Sequence, residues 1–184
     1  RLWRMRARRP KRFRPPPRRR FPRPLAHCRR SLARKTLPPP DIGKEFERSV
    51  KGALDSLKQR GQLAYARLYD TQSAQGYLPP QPADFVGIAK GLAFLLECKA
   101  SEEHDTLATC ISTVDRAQAA NLGLWARQGC NSIVLFYAAM VSKVEVWGGG
   151  QVSAARGSNK KLFEPAFIGP MSQLERVLEK ALVR

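Results

Sequence analysis

Two short apolar segments joined by a turn constrain the fold of this chain most strongly. They run from about Asp84 to Ala89 and from about Leu92 to Ala100, with Lys90-Gly91 between them. Their length, their apolar content and the intervening glycine predict a β-hairpin rather than a helix. The hairpin therefore contributes two neighbouring strands to a sheet.

The charged residues of this hairpin lie near its open end. Side chains alternate along a strand, so Glu97 and Lys99 share one face, while Phe94, Leu96 and Cys98 share the other, which we expect to be the packed core. Pairing about the Lys90-Gly91 turn places Asp84 opposite Glu97. We therefore expect two carboxylates and a lysine to converge at one spot.

The rest of the folded part predicts the order α-β-β-β-α-β-β-α. This order predicts an α/β fold with a mixed central sheet flanked by helices. The segment over 151–169 shows no regular apolar spacing and is predicted to be irregular. Trp125 and Trp147 are predicted to be packing residues. The other predicted elements are a helix from Asp41 to about Gly61, a strand at Leu63–Tyr69, a long loop at Asp70–Pro82, a helix at Val114–Gln128, strands at Ile133–Met140 and Lys143–Trp147, and a helix at Met171–Leu182.

Charge and proline divide the chain into two parts. Residues 1–40 hold 16 of the 33 Lys and Arg residues, no acid and 9 of the 14 prolines, so they predict a disordered or extended basic arm. Residues 41–184 hold 17 bases and all 15 acids, and predict one folded domain. The arm suits contact with nucleic-acid phosphates. An organelle transit peptide and an upstream extension are the alternatives.

The cysteines and the hydropathy limit the class of protein. Cys28, Cys98, Cys110 and Cys130 form no CxxC pair, which disfavours a zinc ribbon and favours reduced thiols. Because no apolar run approaches about 18 residues, we expect no membrane span. The prediction is a cytoplasmic protein, or one of an organelle matrix if the arm is a transit peptide.

The open end of the hairpin suits a divalent cation. Mg²⁺ prefers oxygen ligands, and Asp84, Glu97 and the backbone carbonyl of Cys98 offer them. Lys99 would orient or deprotonate an attacking water, or stabilise charge in the transition state. The alternative is a cross-strand salt bridge with a purely structural role.

Asp84, the following hairpin and Glu97-Cys98-Lys99 together resemble the PD-(D/E)xK nuclease signature. The stretch 43–48, GKEFER, resembles the first helix of Holliday junction resolvases in that superfamily, where a Glu joins the metal site; the matching residue here is Glu47, with Glu45 as the alternative. The stretch 115–118, DRAQ, resembles the later helix of RecU-type resolvases and carries Gln118 over as a site residue. The resemblance implies a restriction-endonuclease-like fold.

The resemblance also implies an activity. It implies a Mg²⁺-dependent endodeoxyribonuclease, with Mn²⁺ able to substitute, that cuts four-way DNA junctions as a homodimer, in the cytoplasm, at the nucleoid or in a phage-infected cell. Glu47, Asp84 and Glu97 would hold the metal, with Lys99 and Gln118 around the attacking water. Two further residues, Arg67 and Arg116, are candidates for phosphate contact. The alternatives are a related nuclease acting on duplex ends or flaps, and a non-catalytic nucleic-acid-binding protein that uses its basic arm.

Overall fold

Six strands form one mixed sheet in the computed structural model of this protein, which describes residues 41–68, 81–158 and 163–183. The strands lie side by side in chain order. All neighbouring pairs are antiparallel except β3 and β4, which are parallel and need a crossover connection. The strands are β1 (Leu63–Arg67), β2 (Phe85–Ala89), β3 (Leu92–Ser101), β4 (Asn131–Ala138), β5 (Lys143–Gly148) and β6 (Phe167–Pro170).

Helices cover both faces of the sheet, which confirms the predicted α/β class. One face packs against the first and last helices around a core that includes Phe46, Leu54 and Leu178. The other face forms a second core with the crossover helices and the helix after β5, and includes Leu122 and Phe136. The helices are α1 (Ile42–Gln59), α2 (Leu107–Cys110), α3 (Arg116–Arg127), α4 (Gly149–Gly157) and α5 (Leu174–Leu182).

Helix α1 follows the predicted pattern closely. Its buried residues are the five that the periodicity selected, Phe46, Val50, Ala53, Leu54 and Leu57. The side chain of Asp41 accepts hydrogen bonds from Gly43 N at 3.1 Å and Lys44 N at 3.3 Å, which caps the first turn. The helix gives way at Gly61, whose φ of 71° lies in the left-handed region that glycine adopts readily.

The second core is a finding that alternation did not predict. The sequence pattern assigned the Phe94, Leu96 and Cys98 face of β3 to the core, but Leu95 on the opposite face is also buried. It packs among residues of the crossover helices. A parallel strand pair with a helical crossover is covered on both sides, so both faces of β3 lose contact with water.

Two predictions along the chain are wrong. The segment over 151–169 is not irregular, because α4 occupies most of its first half and β6 lies near its end. Trp125 is 44 % exposed and not a core residue, whereas Trp147 is fully buried, as predicted.

Close packing explains α4. A Cβ on Gly149 would lie 2.3 Å from Ser132 Oγ and 2.9 Å from Leu122 O, so this glycine lets the start of α4 approach β4 and α3. The sequence shows only three consecutive glycines, which ordinarily end a strand without starting a helix.

Some predictions fall outside the described residues. These are the basic arm over 1–40, the last residue of the strand predicted to reach Tyr69, and residues 70–80 of the predicted loop. Within the described ranges, no helix is long and apolar enough to cross a membrane.

Candidate active site at the open end of the β2–β3 hairpin

The predicted register of the hairpin is confirmed. Phe85 pairs with Leu96 and Val86 with Leu95, so Asp84 falls opposite Glu97. The ladder ends with a hydrogen bond from Asp84 N to Leu96 O at 3.2 Å. Because directly opposite residues share a face, the two acids lie next to each other just past the paired region.

The side chain of Asp84 forms one more hydrogen bond between the two strands, beyond their last backbone–backbone bond. Its Oδ2 accepts a hydrogen bond from Cys98 N at 2.7 Å. Burial and then the nearby charge of Glu97 raise the pKa of Asp84 from 3.8 to about 7, although the Cys98 N–H acts in the opposite direction. Ionising Asp84 near neutral pH is therefore less favourable in the folded protein than in the unfolded chain.

Glu97 is almost fully enclosed, with 1 % of its surface exposed. Its Oε1 accepts hydrogen bonds from Lys99 Nζ at 2.6 Å and Gln118 Nε2 at 2.9 Å. Its Oε2 is buried and has no hydrogen-bond partner among the described residues. Burial raises the pKa of Glu97, while Lys99 and Gln118 lower it in part. Such an unpaired buried oxygen is costly unless something else binds it.

Lys99 is the cation of the group. Burial alone would lower the pKa of its ammonium, but the attraction of Glu97 and Asp84 outweighs burial and raises this pKa above its ordinary value. Lys99 therefore stays protonated at neutral pH. We expect it to act as a positive charge and hydrogen-bond donor rather than as a base, which narrows the roles that the sequence left open.

Gln118 reaches the hairpin from α3. Asp115 caps that helix by accepting a hydrogen bond from Ala117 N at 2.7 Å, and Gln118 lies within the first turn. Arg116, predicted to contact phosphate, is exposed at the first position of the same helix. The start of α3 thus brings the Gln118 amide to Glu97, while contact of Arg116 with phosphate stays a prediction.

Glu47 and Arg67 lie beside the group and pair with each other. The Arg67 guanidinium donates to Glu47 Oε2 in an ion pair that joins α1 to the end of β1. Glu47 is still close enough for its charge to raise the pKa of both Asp84 and Glu97. Metal binding by Glu47 and phosphate binding by Arg67 both stay predictions.

The donor set fits a hard divalent cation that keeps part of its water shell. Among the described residues, no three His, Cys, Asp or Glu side chains are arranged to hold a metal ion together. Two carboxylates do converge, and one of their oxygens is unpaired. Mg²⁺ usually binds one or two carboxylates and retains several waters, so Asp84 and Glu97 suffice. The Cys98 carbonyl as a third ligand stays a prediction.

The thiol of Cys98 takes no part in this chemistry. It packs in the core on the opposite face of the sheet from Glu97. Burial raises the pKa of this thiol well above its ordinary value, so it remains protonated and unreactive.

Comparison with known proteins adds a similarity to solved structures. No family model and no curated protein sequence matches the chain. Among solved structures, the chain is similar to Hjc, a Holliday junction resolvase from the archaeal hyperthermophile Archaeoglobus fulgidus, at 17 % identity and a TM-score of 0.42. The match covers 76 % of this chain and 99 % of that one. Likeness at this level does not establish a family or an activity.

Sequence reasoning missed one buried acid, Glu145 in β5. It is 3 % exposed and lies on the face that the second core covers. A signal was available, because Glu145 and Trp147 are two residues apart in one strand and so share a face. A face that buries a tryptophan also buries the acid beside it.

Proposed function

We propose that this protein is a metal-dependent endodeoxyribonuclease that cuts four-way DNA junctions. One observation supports the nuclease chemistry above all others. The carboxylates of Asp84 and Glu97 converge at the end of a hairpin, beside a protonated lysine, with one buried carboxylate oxygen unpaired. The preference for junctions rests on the sequence resemblance to RecU-type resolvases.

A cation held by Asp84 and Glu97 would polarise the scissile phosphate and lower the pKa of water. The chain's own residues supply the remainder of the chemistry. Lys99 Nζ would donate to a phosphate oxygen, where its charge stabilises the transition state. Gln118 would fix the Glu97 carboxylate through its 2.9 Å hydrogen bond, so that the unpaired Oε2 would stay available as a ligand.

The surroundings suit a phosphate-containing substrate. Arg116 is exposed near the site, and the arm over 1–40 brings 16 further bases without an acid. Such charges bind phosphates without choosing a sequence. The arm would therefore raise affinity for DNA, while the folded part would cut it. Homodimerisation belongs to the same proposal, because a junction needs two symmetric cuts.

The test compares a synthetic four-way junction, a flap and a linear duplex of the same arms. Each is incubated with Mg²⁺ or with chelator, and with wild type, Lys99→Met or Lys143→Met. Methionine keeps the length of the aliphatic chain and removes the charge. Lys143 is an exposed lysine at the start of β5 and serves as the matched control.

We expect paired nicks in the junction with Mg²⁺, loss of cleavage with Lys99→Met and no change with Lys143→Met. Loss of one charged transition-state contact corresponds to a rate decrease of about 100- to 1,000-fold. Equal cutting of all three substrates would support the nuclease activity and refute the preference for junctions. Tight DNA binding without cleavage in Mg²⁺ or Mn²⁺ would refute the enzyme, in favour of binding through the basic arm.

A further inference from the structure

A cavity with a mostly apolar lining lies on the same face of the sheet as Glu97. It measures about 400 Å³, and its lining includes Thr106, Glu145, Trp147, Phe163 and Ile168. We refer to it as the Glu145 pocket. Its size lies within the range of small-molecule sites, and its walls combine aromatic and aliphatic side chains with one buried carboxylate.

Glu145 is only partly satisfied by the protein. Its Oε2 accepts hydrogen bonds from Leu107 N at 3.0 Å and from Trp147 Nε1 at 2.7 Å. Both donors are neutral, and no Lys, Arg or His in the described ranges forms an ion pair with Glu145. Its Oε1 accepts no hydrogen bond from a described residue, and Glu145 lines the pocket.

The chemistry of the pocket selects its ligand. A carboxylate repels phosphate and accepts hydrogen bonds from N–H groups, so a nucleotide would present its base here and not its backbone. Phe163 is half-buried in the wall and offers an aromatic surface on which an unstacked base can lie. Glu and Asp accept hydrogen bonds from the amino group of cytosine, whereas the O4 acceptor of thymine would face the carboxylate unfavourably.

The pocket lies within reach of the candidate active site. Lys99 pairs with Phe136 across β3 and β4, and Phe136 pairs with Glu145 across β4 and β5, so the three lie in one row of the sheet. Two strand spacings correspond to about 10 Å between the backbones of Lys99 and Glu145. Phe136 between them is fully buried, so a DNA strand that contacts both positions would have to pass over the second core.

We propose that the Glu145 pocket binds an unstacked nucleobase that carries an exocyclic amino group, cytosine in preference to thymine. The inference rests on the proposed function in one respect, namely that DNA is the substrate at Asp84 and Glu97. It goes beyond it by assigning base selection to a site separate from the cleavage residues. A flap carries unpaired bases at its branch point, which a continuous duplex does not.

The test measures binding, so that it does not depend on cleavage. The full chain is titrated in chelator against labelled branched DNA whose unpaired nucleotides at the branch are all dC or all dT. Wild type and two variants, Glu145→Gln and Glu102→Gln, are compared by fluorescence anisotropy. Glu102 is an exposed acid that does not line the pocket and is the matched control.

We expect wild type to bind the dC substrate about 5- to 10-fold more tightly than the dT substrate, the effect of one well-placed base contact. In Glu145→Gln, the amide oxygen can keep the bonds from Leu107 and Trp147, and the amide N–H₂ then faces the pocket. The preference should vanish or reverse toward dT. Glu102→Gln should keep the preference of wild type.

A second variant covers the case in which Glu145→Gln does not fold. Phe163→Ala removes the aromatic wall and leaves the carboxylate, so it should weaken binding of both substrates while dC remains preferred. Equal affinity of wild type for dC and dT would refute the proposal, as would an unchanged preference in folded Glu145→Gln. Competition by guanidinium compounds without any base preference would identify a general cation site and also overturn it.

The outcomes separate this inference from the proposed function. Base preference without metal-dependent cleavage would support base binding in the Glu145 pocket and refute the nuclease activity. Cleavage of junctions by a protein that shows no base preference would do the opposite.

Discussion

Replacing Asp84 with Asn should stabilise the metal-free protein at alkaline pH. Most substitutions of a buried residue destabilise a fold, so the direction of this effect is diagnostic. The reason lies in the surroundings of Asp84, where burial and the neighbouring Glu97 raise its pKa to about 7. The protein bears an electrostatic cost at this position that an amide would not have.

The magnitude follows from the difference between the folded and unfolded pKa. A rise from 3.8 to about 7 corresponds to about 4 kcal/mol, at about 1.4 kcal/mol per pH unit. This figure is an upper bound, because Asn accepts the hydrogen bond from Cys98 N less strongly than a carboxylate does. We expect a net gain of about 1–3 kcal/mol in the free energy of unfolding at pH 8.5.

The sign depends on pH in a defined way. Below about pH 4 the carboxyl group is neutral in both states, so Asp84 carries no ionisation cost. Between about pH 4 and 7 the unfolded chain releases this proton while the folded protein keeps it, and wild type loses stability as the pH rises. Above about pH 7 the full cost is present.

The assay is urea unfolding of wild type and Asp84→Asn in chelator at pH 5 and pH 8.5. The advantage of the variant should be larger at pH 8.5. Asp55→Asn is the control, because Asp55 is an acid whose pKa is lowered by Lys51 and Tyr65 and whose replacement should cost stability. Millimolar Mg²⁺ should then stabilise wild type and leave Asp84→Asn unchanged. An Asp84→Asn protein less stable than wild type at pH 8.5 would refute the reasoning.

Three further predictions follow from individual contacts. Gln118→Ala should lower the cleavage rate about 10-fold in single-turnover assays while changing stability by less than about 1.5 kcal/mol, because Lys99 still holds Glu97 Oε1; an unchanged rate would remove Gln118 from the site. Gly149→Ala should cost about 1–3 kcal/mol in urea unfolding, because its Cβ would lie 2.3 Å from a side-chain oxygen and 2.9 Å from a backbone one, and a neutral effect would contradict the close approach of α4. Leu54→Ala should cost about 2–5 kcal/mol in the same assay, since this fully buried side chain fills the core under α1, and a loss below about 1 kcal/mol would contradict that packing.

The sequence by itself determined the hairpin and the position of its acids. Turn chemistry at Lys90-Gly91 sets the pairing register, and a period of two sets the face, so local rules suffice to place Asp84 opposite Glu97. Helix α1 was equally accessible, because its apolar spacing and the Asp41 cap are local signals. The contact of Gln118 with Glu97 was reached only through the family resemblance, since no local rule joins α3 to β3.

Only the tertiary structure decided which surfaces are buried and which charges meet. The second core, the helix that follows three glycines and the exposure of Trp125 depend on how distant elements pack, and no local pattern encodes that packing. The same holds for the ion pair of Glu47 with Arg67 and for the carboxylate of Glu145 at the base of a pocket. Alternation along a strand specifies the face of each side chain, but the layer that covers that face is contributed by residues far away in the chain.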